Sequence, residues 1–198
     1  MPELVVEGRE FADEDWYGED MVDRVYSGCT FRRVDLTEAT TRRVTFTGCT
    51  FANVRFNASR HHDTALVRCV IERSELFDAE FTGCKLTGST ITDCGTRPLR
   101  VTGGDWSFVT LTGADLRGVT FTDVRMREVD LSRADCTGAT LTGVDLSAAT
   151  LTGADLSGTD LRGSDLTALD PSAVRLSGAI IDADQAVVIA QALGLRIG

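Results

Sequence analysis

The sequence predicts an all-β solenoid closed by one short C-terminal helix, and three observations carry that prediction. Large apolar residues recur every five positions from Phe11 to Ile181. Small residues recur two positions before them, as in Cys29, Val34, Ala39, Val44 and Cys49. Glycine often falls two positions after the large residue, clearest in ADLRG at 114–118 and ADLSG at 154–158. A period of five suits neither the 3.6-residue helix nor the alternating strand. It suits a short bridge plus a turn, with the small and large residues pointing inward and glycine making the corner.

The elements follow in order. Residues 1–10 precede the register and read as an N-terminal cap, with a strand around Leu4–Val6. Residues 11–181 are the repeat. Of its 35 large positions only Thr41, His61, Thr96 and Pro171 are not apolar, and both tryptophans and seven of the nine phenylalanines fall there. One unit cannot bury its own side chain, so the units must stack. Thr96 and Pro98 mark a mid-chain irregularity where the turn type changes. Residues 182–198 form the last element. Asp182 or Asp184 can cap a helix and Gly194 can end it. That segment is apolar nearly all round, so it must bury more than one side. Val187, Val188, Ile189, Leu193 and Leu195 are the candidates for covering the last coil and meeting a second subunit across a two-fold axis, the alternative being a helix that only caps a monomer.

Composition narrows function by exclusion. Of 198 residues, thirty are acidic and twenty basic, with Lys85 the single lysine, for a net charge of −10. That balance argues against direct nucleic-acid binding, which needs clustered Lys and Arg. No apolar run is long enough to span a membrane. The start MPELVVEGRE lacks the features of a signal peptide, and six cysteines without an export signal suit the reducing cytoplasm.

No constellation for chemistry emerges. The cysteines lack the close pairing of zinc sites, and their repeat spacing suits core filling by a small thiol. His61 falls on a core position without a partnered nucleophile, and the glycines fall at corner spacing rather than in a phosphate loop. A filled solenoid has no cleft for a small-molecule substrate. The expectation is a non-enzymatic protein with no catalytic residue, no metal and no cofactor.

The A-[D/T]-L-[S/T]-G unit resembles the pentapeptide-repeat family. The stretches CGTRPLRVTGGDWSFVTLTGADLRG (94–118) and DPSAVRLSGAIIDADQAVVIAQALGL (170–195) resemble its mycobacterial fluoroquinolone-resistance members. The wider Qnr group is similar through the repeat but typically carries loops that this chain lacks. The resemblance implies a right-handed quadrilateral β-helix with four pentapeptides per coil, so that residues n and n+20 stack. Thirty-five units then make about 8.75 coils and a rod of about 42 Å. It further implies a homodimer that binds DNA gyrase as a mimic of duplex DNA and lowers fluoroquinolone susceptibility. Two such rods end to end match roughly 25 base pairs. A scaffold solenoid serving another protein partner is the alternative.

Stacking by twenty places the acidic residues. Asp115, Asp135 and Asp155 form one column, each neighbouring pair repelling by roughly 1 kcal/mol in water. On another face Asp105, Asp145 and Asp165 are interrupted by Arg125. These six are the candidate gyrase-facing surface. The alternative role for each is a hydrogen bond to its own turn. Residues 1–27 carry nine acids and two bases, 28–99 eight and ten, 100–170 eleven and six, and 171–198 two and two, so the tip and the C-terminal coils are acidic and the middle slightly basic.

Overall fold

The computed structural model describes residues 4–198. Every strand pair is parallel, and every paired residue is offset by twenty, from Leu4↔Arg24 through Phe121↔Leu141. Four positions per coil therefore each build a face. The first face begins with Leu4–Glu7, Arg24–Ser27, Thr45–Thr47 and Ala65–Val67. Single bridges continue it through Lys85, Asp105, Arg125, Asp145 and Asp165. The second starts at Glu10–Ala12 and runs through five strands to Thr90–Thr92, then by bridges to Thr150. The third is made of bridges alone. The fourth is a seven-stranded sheet from Asp20–Val22 to Thr140–Thr142, extended by bridges to Asp160 and Ile180.

A three-residue strand has too few bonds to be stable alone, and here its neighbours supply them. The N–H of Leu116 donates to Asp135 O in the next coil at 2.7 Å, and Asp135 N–H donates back to Ala114 O at 2.9 Å. Repeated along the rod, this pattern satisfies the backbone that the short strands would otherwise leave bare. Many corners also close on themselves, as Ala139 N–H does on Cys136 O at 2.9 Å.

Both inward registers are buried along most of the rod, with Trp16, Cys94, Ala114, Leu176 and Ile181 partly buried. The large one stacks on itself at n+20. Phe31 lies 5.0 Å from Phe11 and 4.7 Å from Phe51, with ring planes within 8°. Each such ring removed from water contributes about 1.5–3 kcal/mol. From Asp13 to Gly163 the residue two places after each large one takes a positive φ, Pro98 excepted, whether it is Gly118 at +65° or Asp123 at +55°. Left-handed backbone therefore belongs to the corner itself, and glycine is its least costly occupant.

The rod changes character at its middle. Pro98 stands at a corner position and cannot take positive φ; the Arg97–Pro98 bond is cis. The third face breaks at this point. Its bridges run Asp15↔Asp35↔Arg55↔Glu75↔Gly95 and resume at Asp115↔Asp135↔Asp155↔Arg175. Gly104 is needed nearby for space, whereas at Gly95 only the mobile end of the exposed Glu75 side chain would have to move. A Cβ on Gly95 would meet Glu75 Oε2 at 2.1 Å, and one on Gly104 would meet the Cys84 carbonyl oxygen at 2.1 Å. The fourth face is undisturbed, since Leu99–Thr102 pairs normally with Ala79–Thr82.

At the C-terminal end a helix spans Ala183–Ala192. Asp182 caps it in a reciprocal box with Gln185, each side chain accepting the other's backbone N–H at 2.9 Å. Gly194, at φ +80°, ends it, with Gly194 N–H on Gln191 O and Leu195 N–H on Ala190 O.

Candidate partner-binding surface

The six aspartates of the candidate surface occupy the positions that the twenty-residue offset assigns. Asp115↔Asp135 and Asp135↔Asp155 are adjacent bridges on the third face, and Asp105, Arg125, Asp145 and Asp165 follow one another on the first. Each is half-buried and accepts the backbone N–H two residues on. These bonds reach 3.0 Å at Asp105, Asp135 and Asp155 and 2.9 Å at Asp165. The side chain closes its own turn with one oxygen, so structural and surface roles coexist in the same carboxylate.

The third-face column is not a bare row of like charges. Arg117 pairs with Asp115 at 2.7 Å and reaches Asp135 at 3.6 Å, while Arg97 meets Asp115 at 3.2 Å and Arg175 meets Asp155 at 3.2 Å. The expected repulsion is thereby offset. The Arg117 guanidinium, hydrogen-bonded to Asp115, holds that carboxyl down at about 2. Asp130 and Asp160, absent from the sequence-based set, make the same turn bonds on the second and fourth faces. Their signal was available: both precede a large-register Leu.

The N-terminal half treats charge differently. Arg33 pairs with Asp13, Arg43 with Asp23 and Arg55 with Asp35, each across one coil at 2.5–2.7 Å. Arg100 likewise joins Asp78 and Glu80. These pairs tie acids to arginines across coils, yet residues 1–99 carry seventeen acids against twelve bases and residues 100–198 thirteen against eight, so both halves of the rod are equally acidic.

The terminal helix divides the five predicted interface residues. Gln185 is buried and donates to Leu161 O at 2.6 Å and Ser164 O at 2.8 Å, while Asp182 accepts Gly163 N–H at 3.0 Å. These polar contacts dock the helix on the last coil. Ile189 packs against the core, and Val188 is half-buried. Val187, Leu193 and Leu195 are exposed, together with Ile180 and Ile197, which the sequence reading did not include.

The titratable groups of the core are structural. His61 Nε2 faces Ser59 Oγ at 2.9 Å and Nδ1 faces Thr41 Oγ1 at 2.8 Å, which in turn meets Thr64 Oγ1 at 2.7 Å. Ser59 spends its proton on Phe56 O at 2.6 Å, so His61 donates from Nε2 and accepts at Nδ1. Burial pushes this imidazole down to about 3. All six cysteines are free, and Cys29, Cys49 and Cys69 stack as expected, each thiol 3.5 Å from a carbonyl of the preceding coil. Burial raises the Cys84 and Cys94 thiols to about 11 and Cys136 to about 12.

Residues 101–133 and 130–167 match the family described as pentapeptide repeats. The structure carries the same unit over the rest of the rod. The rod is a parallel β-solenoid of stacked five-residue units, and the family match covers its residues 101–167. It is 38% identical over 90 residues to the pentapeptide repeat protein MfpA of Mycobacterium tuberculosis, covering 46% of this chain and 49% of that one. It is 39% identical over 55 residues to MfpA of Mycolicibacterium smegmatis, covering 28% and 29%. The chain thus spans about half or less of the length of the curated relatives it matches. Among solved structures it is similar to a trypsin-treated variant of QnrB1, described as a plasmid-mediated fluoroquinolone resistance protein. The TM-score is 0.91 at 20% identity, over 99% of this chain and 98% of that one. Full-length QnrB1 gives 0.71 at 19% identity, over 96% and 100%. The QnrB1 likeness concerns the fold. No helix among the described residues is long and apolar enough to cross a membrane.

Proposed function

We propose that this pentapeptide-repeat rod is an interaction protein that binds DNA gyrase as an acidic mimic of duplex DNA, modulating the enzyme and conferring fluoroquinolone resistance. The observation that carries the reading is the row of aspartates on the third face of a rod whose net charge is −10. Residues 100–170 carry eleven acids against six bases. Asp115, Asp135 and Asp155 there repeat at the coil spacing on one rigid face. A DNA-binding channel recognises a rigid negative field through its own basic residues, and mutual fit steers the encounter. The identity shared with MfpA and the fluoroquinolone resistance attached to QnrB1 supply the choice of gyrase.

A dimer belongs to the same proposal. The exposed Val187, Leu193 and Leu195 would pair across a two-fold axis, doubling the length of the acidic rod. The protein works in the cytoplasm, without cofactor or small-molecule substrate. Purified protein, at micromolar concentration, should inhibit ATP-dependent supercoiling by a cognate gyrase or protect it from drug-stabilised cleavage. Absence of both effects would refute the proposal.

A further inference from the structure

One step between coils is held more weakly than its neighbours. Between residues 85–104 and 105–124 the first, second and fourth faces keep their pairing, at Lys85↔Asp105, Thr90↔Thr110 and Arg100↔Thr120. The third face does not. One coil further on it makes four backbone bonds, in which the N–H groups of Gly113, Leu116, Gly118 and Asp135 donate to Ser132, Asp135, Thr137 and Ala114 O. Among the described residues none of the four has a counterpart between residues 93–98 and 112–117. Pro98 has no N–H to give, and the Thr96 hydroxyl donates to Asp115 O instead.

The core is thinner at the same place. Thr96 stands where Leu76 and Leu116 stand one coil to either side. A cavity of about 190 Å³ opens beside it, lined in part by Ile91, Cys94, Thr112 and Ala114. Atoms that face a void lose the contacts a filled core would give them. The stability of a stacked array is close to a sum of unit terms and nearest-neighbour interfaces, so the array opens first at its weakest interface.

The halves on either side are not equally favourable to fold. Among the described residues, twelve non-glycine residues with positive φ precede the step, from Asp13 to Asp93, and five follow it, from Phe108 to Ala148. Left-handed backbone is costly for any residue with a Cβ. The C-terminal half is also sealed by its helix, through Gln185 on Leu161 O and Ser164 O.

We infer that the step between the Gly95 and Asp115 coils is the opening point of the rod, where the N-terminal half unfolds as a unit while the C-terminal half stays folded. The six candidate acids and the terminal helix all follow the step, so opening leaves the proposed partner surface whole. The boundary itself is independent of the partner's identity.

The two tryptophans lie on opposite sides of the step, Trp16 before it and Trp106 after it, and each can report one half. In urea the Trp16 signal of Trp106→Phe should change at a midpoint about 1 M or more below the Trp106 signal of Trp16→Phe. Thr96→Leu with Pro98→Gly supplies the missing apolar residue and a corner able to turn left-handed, and should bring the two midpoints together. Hydrogen exchange on the unsubstituted protein checks the same boundary: protected amides before Gly104 should share an opening reaction that those after Asp105 do not. Coincident midpoints with one common opening reaction overturn the boundary. A Trp106 midpoint below that of Trp16 overturns the choice of the half that opens, and midpoints that stay apart in the repaired step overturn its cause.

Discussion

At the scale of single residues, the non-apolar core positions are the informative ones. Thr41 and His61 interrupt the large register twenty residues apart, so the coil stacks them, and Ser59 and Thr64 complete a closed polar network around the imidazole. The spacing was legible in the sequence, but which hydroxyls would reach the ring depends on rotamers that a period of five does not encode. The network makes a pH prediction. His61 titrates near 3 in the fold and near 6.5 when unfolded. The unfolded chain therefore binds the proton first. The stability from the neutral ring is complete above about pH 6.5 and is lost as pH falls toward 3. Between pH 7 and pH 5 urea unfolding should reveal a loss of about 2 kcal/mol, before most carboxylates titrate. His61→Gln should remove most of that slope while lowering stability at neutral pH. Identical slopes in the two proteins would contradict the buried, neutral assignment.

At the scale of elements, the rod and its terminal helix obey different rules. The faces follow from the period alone, because an offset of twenty fixes every pairing from Leu4↔Arg24 onward. The mid-rod break was marked by Pro98, which cannot occupy a left-handed corner. The helix was legible through its caps but not through its docking. Apolar character suggested hydrophobic closure, whereas Gln185 makes the buried contacts, on Leu161 O and Ser164 O. A glutamine inside an apolar run gives no sequence sign of which carbonyls it will satisfy. The apolar surplus is consequently left exposed, and the proposed dimer would cover it. Val187→Glu with Leu193→Lys places charges in that contact while retaining Gln185 and Ile189. The double variant should keep its β signature and helix content but scatter light as a monomer, an effect expected to cost several kcal/mol of association. A wild type that is already monomeric, or a double variant that remains dimeric, would refute this interface.

At the scale of the whole molecule, one repeat performs two electrostatic tasks. Arginines at n+20, such as Arg33, Arg43 and Arg55, each pair with one acid of the preceding coil in the N-terminal half. Beyond residue 100 the same lattice carries an excess of aspartate, each tied to its turn yet turned partly to solvent. Net charge and column positions were readable from sequence. The pairing of Arg117 with both Asp115 and Asp135 was not, because it joins residues of different coils through a flexible side chain. A protein whose field takes the place of DNA must compete with DNA for gyrase. A fluorescent duplex of about 25 base pairs bound to gyrase should be displaced by the protein in proportion to its occupancy. Displacement should weaken steeply with salt, because both ligands are held by charge. A ternary complex, in which gyrase holds the protein and the duplex together with unchanged affinities, would contradict DNA mimicry.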